Sequence, residues 1–415
     1  MGNVVIGQSG GPTAVINASL AGAIRCAMDK GIKKIFGMHH GIDGFIKHDL
    51  IDMDEYLVDV NDLSLLKRTP AAFLGSCRYK LPKIEGNEDL YESMFEYMDE
   101  MDIEYFLYNG GNDSMDTILK LSEYAERTGR NQKFVGIPKT IDNDLAITDH
   151  TPGYGSAAKF IGTCVKEMIC DNESFAGKDP RIVIVEIMGR NAGWLTAASA
   201  LARDTDCTGP DLIYLPEVNF NIEDFLARMD KLIKTKKSIV VCVSEGIHLA
   251  DGTLVCELAN ENALVDAFGH KHLSGCGYSL FRLVADNFGI NPRVVDLSLL
   301  QRCATHLASR TDVEEAYSAG YIACETAISG ESAKMITLRV PRRVPYNCFY
   351  EATNIADIAN IEKKMPRSWI TKDGTNVTED FIKYVSPLVI GTLPPYYVGG
   401  LPRHMTLRNK RKEIY

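Results

Sequence analysis

Four short stretches of this sequence combine glycine, hydroxyl and charged residues in patterns suited to phosphate chemistry. The first is Gly7-Gln8-Ser9-Gly10-Gly11-Pro12-Thr13. Its adjacent glycines let backbone N–H groups approach an anion with no Cβ in the way, and a helix beginning just after them would add its dipole. The second, Tyr108-Asn109-Gly110-Gly111-Asn112-Asp113-Ser114, repeats the glycine pair but sets a carboxylate beside it. A negative side chain next to an anion-binding turn is unfavourable unless a cation or a selectivity task accounts for it; Ser114 is a candidate cap for the helix that follows. The third, Pro138-Lys139-Thr140-Ile141-Asp142-Asn143-Asp144, supplies a cation for phosphate, a general base and a metal contact within a few positions. A solvated polar turn is the plain alternative for such a pattern, and the apolar run ending in Gly-Ile-Pro before it argues against that here. The fourth, Met188-Gly189-Arg190-Asn191-Ala192-Gly193, offers an arginine and two glycines ahead of a helix expected over 194–201, and by itself is equally compatible with packing. Neither a G-x-x-x-x-G-K-[ST] loop nor a G-x-G-x-x-G fingerprint is present.

Each of these turns follows an apolar run. Strands are predicted over 3–7, 34–38, 104–108, 133–137, 181–187, 212–215 and 238–243. The runs are continuous rather than alternating, as expected when both faces of a parallel sheet are covered. Helical spacing lies between them. Over 156–170, Ala157, Phe160, Ile161, Cys164, Val165, Met168 and Ile169 mark one face. After Asn221, the acids Glu223 and Asp224 precede Phe225, Met229 and Leu232, as helix starts prefer. The fold class is therefore α/β, with doubly wound, mainly parallel sheets, in which ligands bind beyond the carboxyl ends of the strands. A domain change is expected near 149–155, where turn residues gather, and the chain is expected to return to the first domain after about residue 301. From about residue 341 the pattern weakens, with seven prolines and the basic stretch RHMTLRNKRK. A solvated extension wrapping the body is the reading preferred over a phosphate- or partner-binding element.

The composition narrows the function classes. With 45 Lys plus Arg against 55 Asp plus Glu, the 415 residues carry a net charge of −10, which argues against nucleic acid as the main partner. No run approaches the roughly 18 apolar residues of a membrane span, the opening MGNVVIGQSGG has no basic region, and Ile6 stands where a myristoylation motif needs Ser or Thr. The 11 cysteines form no C-x-x-C pair, so a reduced, cytoplasmic setting is expected rather than a disulfide framework or zinc site. His39, His40, His48 and His150 lack metal-ligand spacing and read as ordinary residues.

Taken in order, SGGPTAVINA, FLGSCR, YNGGNDSMDT, PKTIDND, MGRNAGW and LLQR resemble the motifs of the phosphofructokinases over roughly residues 1–340. The resemblance implies two α/β domains with the active site in the cleft between them: a phosphoryl-donor domain over 1–152, with the chain returning at about 302–340, a sugar-phosphate domain over 153–301, and a C-terminal extension over 341–415. It implies that Asp142 takes the proton from the 1-hydroxyl of fructose 6-phosphate as that oxygen attacks phosphorus. Thr140 would contact the transferring group or the sugar, and Ile141 would line the sugar site. Met188, Gly189 and Arg190 resemble the family's sugar-lining segment, Glu245 its carboxylate for a sugar hydroxyl, and Arg302 a sugar-phosphate contact. Arg181 and Arg293 are similar to arginines that reach the 6-phosphate from a neighbouring subunit, which implies a homo-oligomer, dimer or tetramer. Mg²⁺ is the implied cofactor.

The donor follows from two substitutions. ATP-dependent members carry Gly-Gly-Asp-Gly in the second turn and Pro-Gly-Thr in the third; this chain has Asp113 and Lys139 at the positions of those glycines. The pair resembles the pyrophosphate-dependent branch. Asp113 would repel a nucleotide's α-phosphate: two like charges at about 4 Å and an effective dielectric near 20 cost roughly 4 kcal/mol. Lys139 would add a cation for pyrophosphate and act in catalysis, with Gly11 and Arg78 also at the donor. Asn112 stands where many members have an Mg²⁺-associated aspartate, so phosphate oxygens and water would hold the ion, with Asn112 and Asp144 assisting. Leu299 occupies the place of a phosphate-contacting histidine. The implied reaction is reversible transfer from pyrophosphate to fructose 6-phosphate, with ATP as the alternative donor. Further alternatives are a non-catalytic sugar-phosphate sensor and a kinase of lipid or nucleotide substrates.

Overall fold

A computed structural model describes residues 1–57, 59–175, 177, 179–258, 275–341 and 345–408. The strands, in chain order, are β1 (Asn3–Gln8), β2 (Ile35–Met38), β3 (Leu50–Asp52), β4 (Ile103–Gly110), β5 (Lys133–Pro138), β6 (Arg181–Ile187), β7 (Leu212–Tyr214), β8 (Ser238–Ser244), β9 (Arg293–Asp296), β10 (Lys334–Arg339), β11 (Phe349–Asn354), β12 (Tyr396–Val398) and β13 (Leu401–Arg403). The chain forms two compact units, one of Met1–Ser156, Arg302–Lys363 and Ile390–Tyr415, the other of Ala157–Gln301 and Lys364–Val389.

The first unit is built on a sheet of order β11-β10-β5-β4-β1-β2-β3, parallel except at its two edges, where β3 and β11 run antiparallel to their neighbours. Its apolar strands serve two cores because successive residues face opposite ways. Val4, Ile6, Tyr105, Leu107, Val135 and Ile137 join one core with residues of the helices Ile16–Asp29 and Arg310–Ile328. Val5, Phe106, Tyr108 and Phe134 join the other, with the helices Glu88–Glu100 and Asn112–Thr128. The first pair of helices packs backbone to backbone. A Cβ on Gly22 would lie 1.9 Å from the Tyr317 carbonyl oxygen, and one on Gly320 would lie 1.9 Å from that of Ser19. Register brings the functional turns level: Gln8 pairs with Asn109, and Asn109 with Ile137, so the carboxyl ends of β1, β4 and β5 stand side by side.

The second unit holds a parallel sheet of order β7-β8-β6-β9, with Ile182, Ile184, Val241 and Val243 buried against Phe225 and Met229 of the helix Ile222–Thr235. Asn221 caps that helix by accepting from the Asp224 N–H at 2.8 Å. The pairing of Ile187 with Ser244 sets the turn after β6 beside the start of the loop after β8.

Three local expectations are revised. The helix expected over 194–201 is one α turn, Trp194–Ala197, running into the tighter turn Ala198–Ala202, so the fourth stretch does not feed a long helix dipole. Ser114 lies inside its helix, whose cap is Gly111. The segment 341–415 is divided rather than forming one extension. β11 completes the edge of the first sheet, whereas Trp369 and Tyr384 pack on Trp194 in the second unit, with ring centroids 6.0 and 5.3 Å away. No helix among the described residues is long and apolar enough to cross a membrane.

Candidate active site

In the first unit, short hydrogen bonds weld the turns together. The Ser9 N–H donates to the Asn109 carbonyl at 2.9 Å, the Lys139 N–H to Gly110 at 3.1 Å, and the Gly10 N–H to Cys77 in the FLGSCR segment at 3.1 Å. Ser76 returns a bond from its hydroxyl to the Gly10 carbonyl at 2.6 Å. Gly10 adopts φ +74, the left-handed backbone that glycine accepts without strain.

Cations converge on this turn. Lys139 is 2% exposed, and its Nζ donates to the Gly11 carbonyl at 2.7 Å. Burial pushes its pKa down to about 8, a fall that the nearby Asp142 and Asp144 limit. An Arg302 Nη1 lies 2.9 Å from where a Cβ on Gly11 would stand, so a side chain at Gly11 would displace the guanidinium. Burial, and then the charge of Arg78, lower the Arg302 pKa. Three of the residues expected at the phosphates, Lys139, Arg302 and Arg78, thus feel one another beside Gly11.

The carboxylates stand on the loop after β5. Thr140 orients Asp142 twice: its Oγ1 accepts from the Asp142 N–H at 3.1 Å and donates to Asp142 Oδ2 at 3.4 Å. Burial raises the Asp142 pKa, with Thr140 and Lys139 opposing. Burial and then the charge of Asp142 push Asp144 up to about 7. A carboxylate whose proton affinity is lifted toward neutrality is a better proton acceptor than an exposed aspartate, which is the chemistry a general base needs. Ile141 is buried beside them.

The second turn differs in character. Asp113 sits in the first turn of the helix Asn112–Thr128, its side chain 50% exposed, with Lys80 Nζ 3.4 Å away. The neighbouring Asn112 Oδ1 is buried without a hydrogen-bond partner among the described residues, a carbonyl oxygen available to a donor or a hard cation. Among the described residues no three His, Cys, Asp or Glu gather into a metal site. Oxygen donors as sparse as Asn112 and Asp144 fit Mg²⁺, which keeps waters and phosphate oxygens as ligands, better than a metal needing a full protein cage.

In the second unit the structure brings Met188, Gly189, Arg190 and Glu245 together. The Gly189 N–H donates to Glu245 Oε1 at 3.2 Å, and the Met188 N–H to Gln301 Oε1 at 3.2 Å. A Cβ on Gly246 would lie 1.8 Å from the Arg190 carbonyl oxygen, so the two loops touch through backbone. Glu217 holds the far end of the turn, accepting from the Gly193 N–H at 2.8 Å. Arg181 and Arg293 are not part of this group. They lie at the amino ends of β6 and β9, where Val183 pairs with Arg293. The length of β6, at about 3.3 Å per residue, separates Arg181 from Met188 by roughly 20 Å. Arg293 is exposed; Arg181 stacks on Phe175, with its guanidinium carbon 3.7 Å from the ring centroid, and keeps a buried Nη1 without a hydrogen-bond partner among the described residues.

Some residues of these loops escaped the sequence reading. Lys80 follows Arg78 by two positions, and only the fold reveals its partner. His150, read as ordinary, is 1% exposed between two carboxylates, 2.9 Å from Asp149 Oδ1 and 2.7 Å from Glu315 Oε2. Its neighbour Asp149 was the one local signal.

A family model described as phosphofructokinase matches residues 3–312. The chain is 40% identical, over 99% of its length and 97% of the relative's, to a pyrophosphate--fructose 6-phosphate 1-phosphotransferase of Halomonas elongata. It is similar to the crystal structure of a pyrophosphate-dependent phosphofructokinase from Nitrosospira multiformis, with TM-score 0.88 and 37% identity over 98% of this chain and 96% of that one. A pyrophosphate-dependent phosphofructokinase from Marinobacter aquaeolei gives TM-score 0.87 and 38% identity over 99% and 97%. With its motifs on the loops described and its likeness spanning nearly the whole length, the chain belongs to the phosphofructokinase family.

Proposed function

We propose that the chain transfers a phosphoryl group from pyrophosphate to the 1-hydroxyl of fructose 6-phosphate, yielding fructose 1,6-bisphosphate and phosphate, and that it runs this reaction in both directions. The observation that carries the donor assignment is the buried Lys139 ammonium on the Gly11 carbonyl, a cation held inside the turn where ATP-dependent relatives have glycine. Pyrophosphate has no base to bury, so its affinity comes from charge, and Lys139, Arg302 and Arg78 supply it beside Gly11. Asp113, across the second turn, sets a negative charge against the α-phosphate of a nucleotide.

In the forward direction Asp142 accepts the proton of the 1-hydroxyl as its oxygen attacks the terminal phosphorus, and the bond from that phosphorus to the bridging oxygen breaks, releasing phosphate. Thr140 keeps the carboxylate aimed while Lys139 balances charge on the transferring group. Mg²⁺, when bound, neutralises charge on the phosphate oxygens; Asn112 and Asp144 are the protein oxygens suited to hold it. Met188, Gly189, Arg190 and Glu245 grip the sugar. Arg181 and Arg293, far along β6 and β9 from that group, suit the 6-phosphate in a neighbouring copy, as in a dimer or tetramer. The net charge and the absence of any apolar spanning helix among the described residues suit a cytoplasmic enzyme.

Assay of purified protein with each donor tests this reading. Pyrophosphate is expected to support turnover with Mg²⁺ and fructose 6-phosphate, and ATP to support little. The paired change Asp113→Gly with Lys139→Gly is expected to cut pyrophosphate use by about 10²-fold, the scale of one lost transition-state cation, and to open ATP use. Turnover with ATP alone in the parent protein would overturn the donor assignment.

A further inference from the structure

The loop that carries Asp142 and Asp144 is held in a shape that Ile147, near its far end, resists. Asn143 takes φ +56 and Ile147 φ +66, and for a β-branched residue the left-handed region is a genuine outlier. Such a backbone persists only where its surroundings over-determine it. The restraint arrives from far along the chain. Glu362 bridges Leu145 in antiparallel fashion, and the Lys363 N–H donates to the Asp144 carbonyl at 2.7 Å. The Lys363 Nζ then reaches Asn143 Oδ1 at 3.3 Å, the Thr148 carbonyl at 3.2 Å and the Asp149 carbonyl at 3.0 Å. An ammonium has three donors, and three acceptors on this one loop match them. Two of these acceptors lie beyond Ile147, and the third is the side chain between the two aspartates. Arg339 adds a bond to the Ile147 carbonyl at 2.7 Å.

We propose that Lys363 is a positioning residue for phosphoryl transfer: its ammonium ties Asn143 to Thr148 and Asp149 and so fixes the direction in which Asp142 presents its carboxylate. The inference rests on the proposed role of Asp142. A point cation at this place does what a neutral side chain could not, because it satisfies two carbonyls and an amide oxygen at once without needing an acceptor of its own. Lys363 lies past the family match at residues 3–312, so the later part of the chain completes the catalytic loop.

The test compares the parent chain with Lys363→Met and Lys363→Gln, assayed with pyrophosphate, Mg²⁺ and fructose 6-phosphate. Lys363→Met is expected to lower kcat by at least about 30-fold, with KM for both substrates within threefold. Calorimetric binding of fructose 6-phosphate should keep the parent's stoichiometry per chain, which a merely structural role would not preserve. Lys363→Gln retains two of the three donors, on a shorter side chain, and serves where the methionine variant does not fold; its kcat is expected to fall about tenfold with the same unchanged KM. A folded variant with kcat within twofold of the parent overturns the proposal. So does a loss confined to the KM of pyrophosphate, which would make Lys363 a ligand residue, or a loss matched by falling stoichiometry. A parent chain inactive with pyrophosphate would instead refute the function proposed above.

Discussion

The loop after β5 and the helix start after β4 are adjacent, both carry carboxylates, and they are physically opposite. On the first, Lys139 is buried, its pKa pushed down to about 8, and burial drives Asp142 and Asp144 upward. At the second, Asp113 meets Lys80, which comes from the segment after FLGSCR, at 3.4 Å with about half of each side chain in water. Burial alters what a group can do with a proton; exposure leaves it an ordinary charge that acts by repulsion at a distance. One turn is suited to chemistry and the other to choosing the donor.

That contrast is open to three breaks of decreasing size. Asp142→Asn removes the buried base and is expected to lower kcat by about 10³-fold, within the range general base catalysis supplies, while fructose 6-phosphate still binds. Steady-state rates together with calorimetry check this, and a loss below tenfold would move the base elsewhere. Next in size is the buried His150. Burial alone would lower its pKa, but the charges of Glu315 and Asp149 prevail and raise it to about 9 from 6.5. A histidine with a raised pKa in the folded state stabilises fully below the unfolded value. That contribution fades as pH climbs from about 6.5 through about 9, and is of order 3 kcal/mol at most. Thermal midpoints measured at pH 6 and pH 9.5 should therefore fall on the alkaline side, and Glu315→Gln should flatten the difference. The smallest effect belongs to the exposed pair. Lys80→Met leaves Asp113 without its cation, and since surface pairs are worth about 0–1 kcal/mol, donor discrimination measured as the kcat/KM ratio should rise no more than about fivefold. A hundredfold change there would erase the distinction between the two turns.

Much of the fold was legible because its signals are local. The β1, β4, β5, β6 and β8 runs are apolar on consecutive residues, and glycines or a proline close behind end them, so strand positions and turn chemistry could be read directly. The break at Ala198 was not, since WLTAASALA carries no residue that forbids a longer helix. Nor was the division of residues 341–415, where prolines mask segments that pack well only against a partner surface such as Trp194.

From residue order alone came the family, the parallel α/β plan, and the glycine, lysine and aspartate turns, because backbone freedom and apolar runs are properties of neighbours in the chain. Only the folded molecule decided that Arg302 lies against Gly11, that Glu315 charges His150, and that Lys363 clamps the loop bearing Asp142. Each of those depends on groups far apart in sequence meeting within a few ångströms, where burial and Coulomb forces become strong, and no local pattern encodes which distant side chain will arrive.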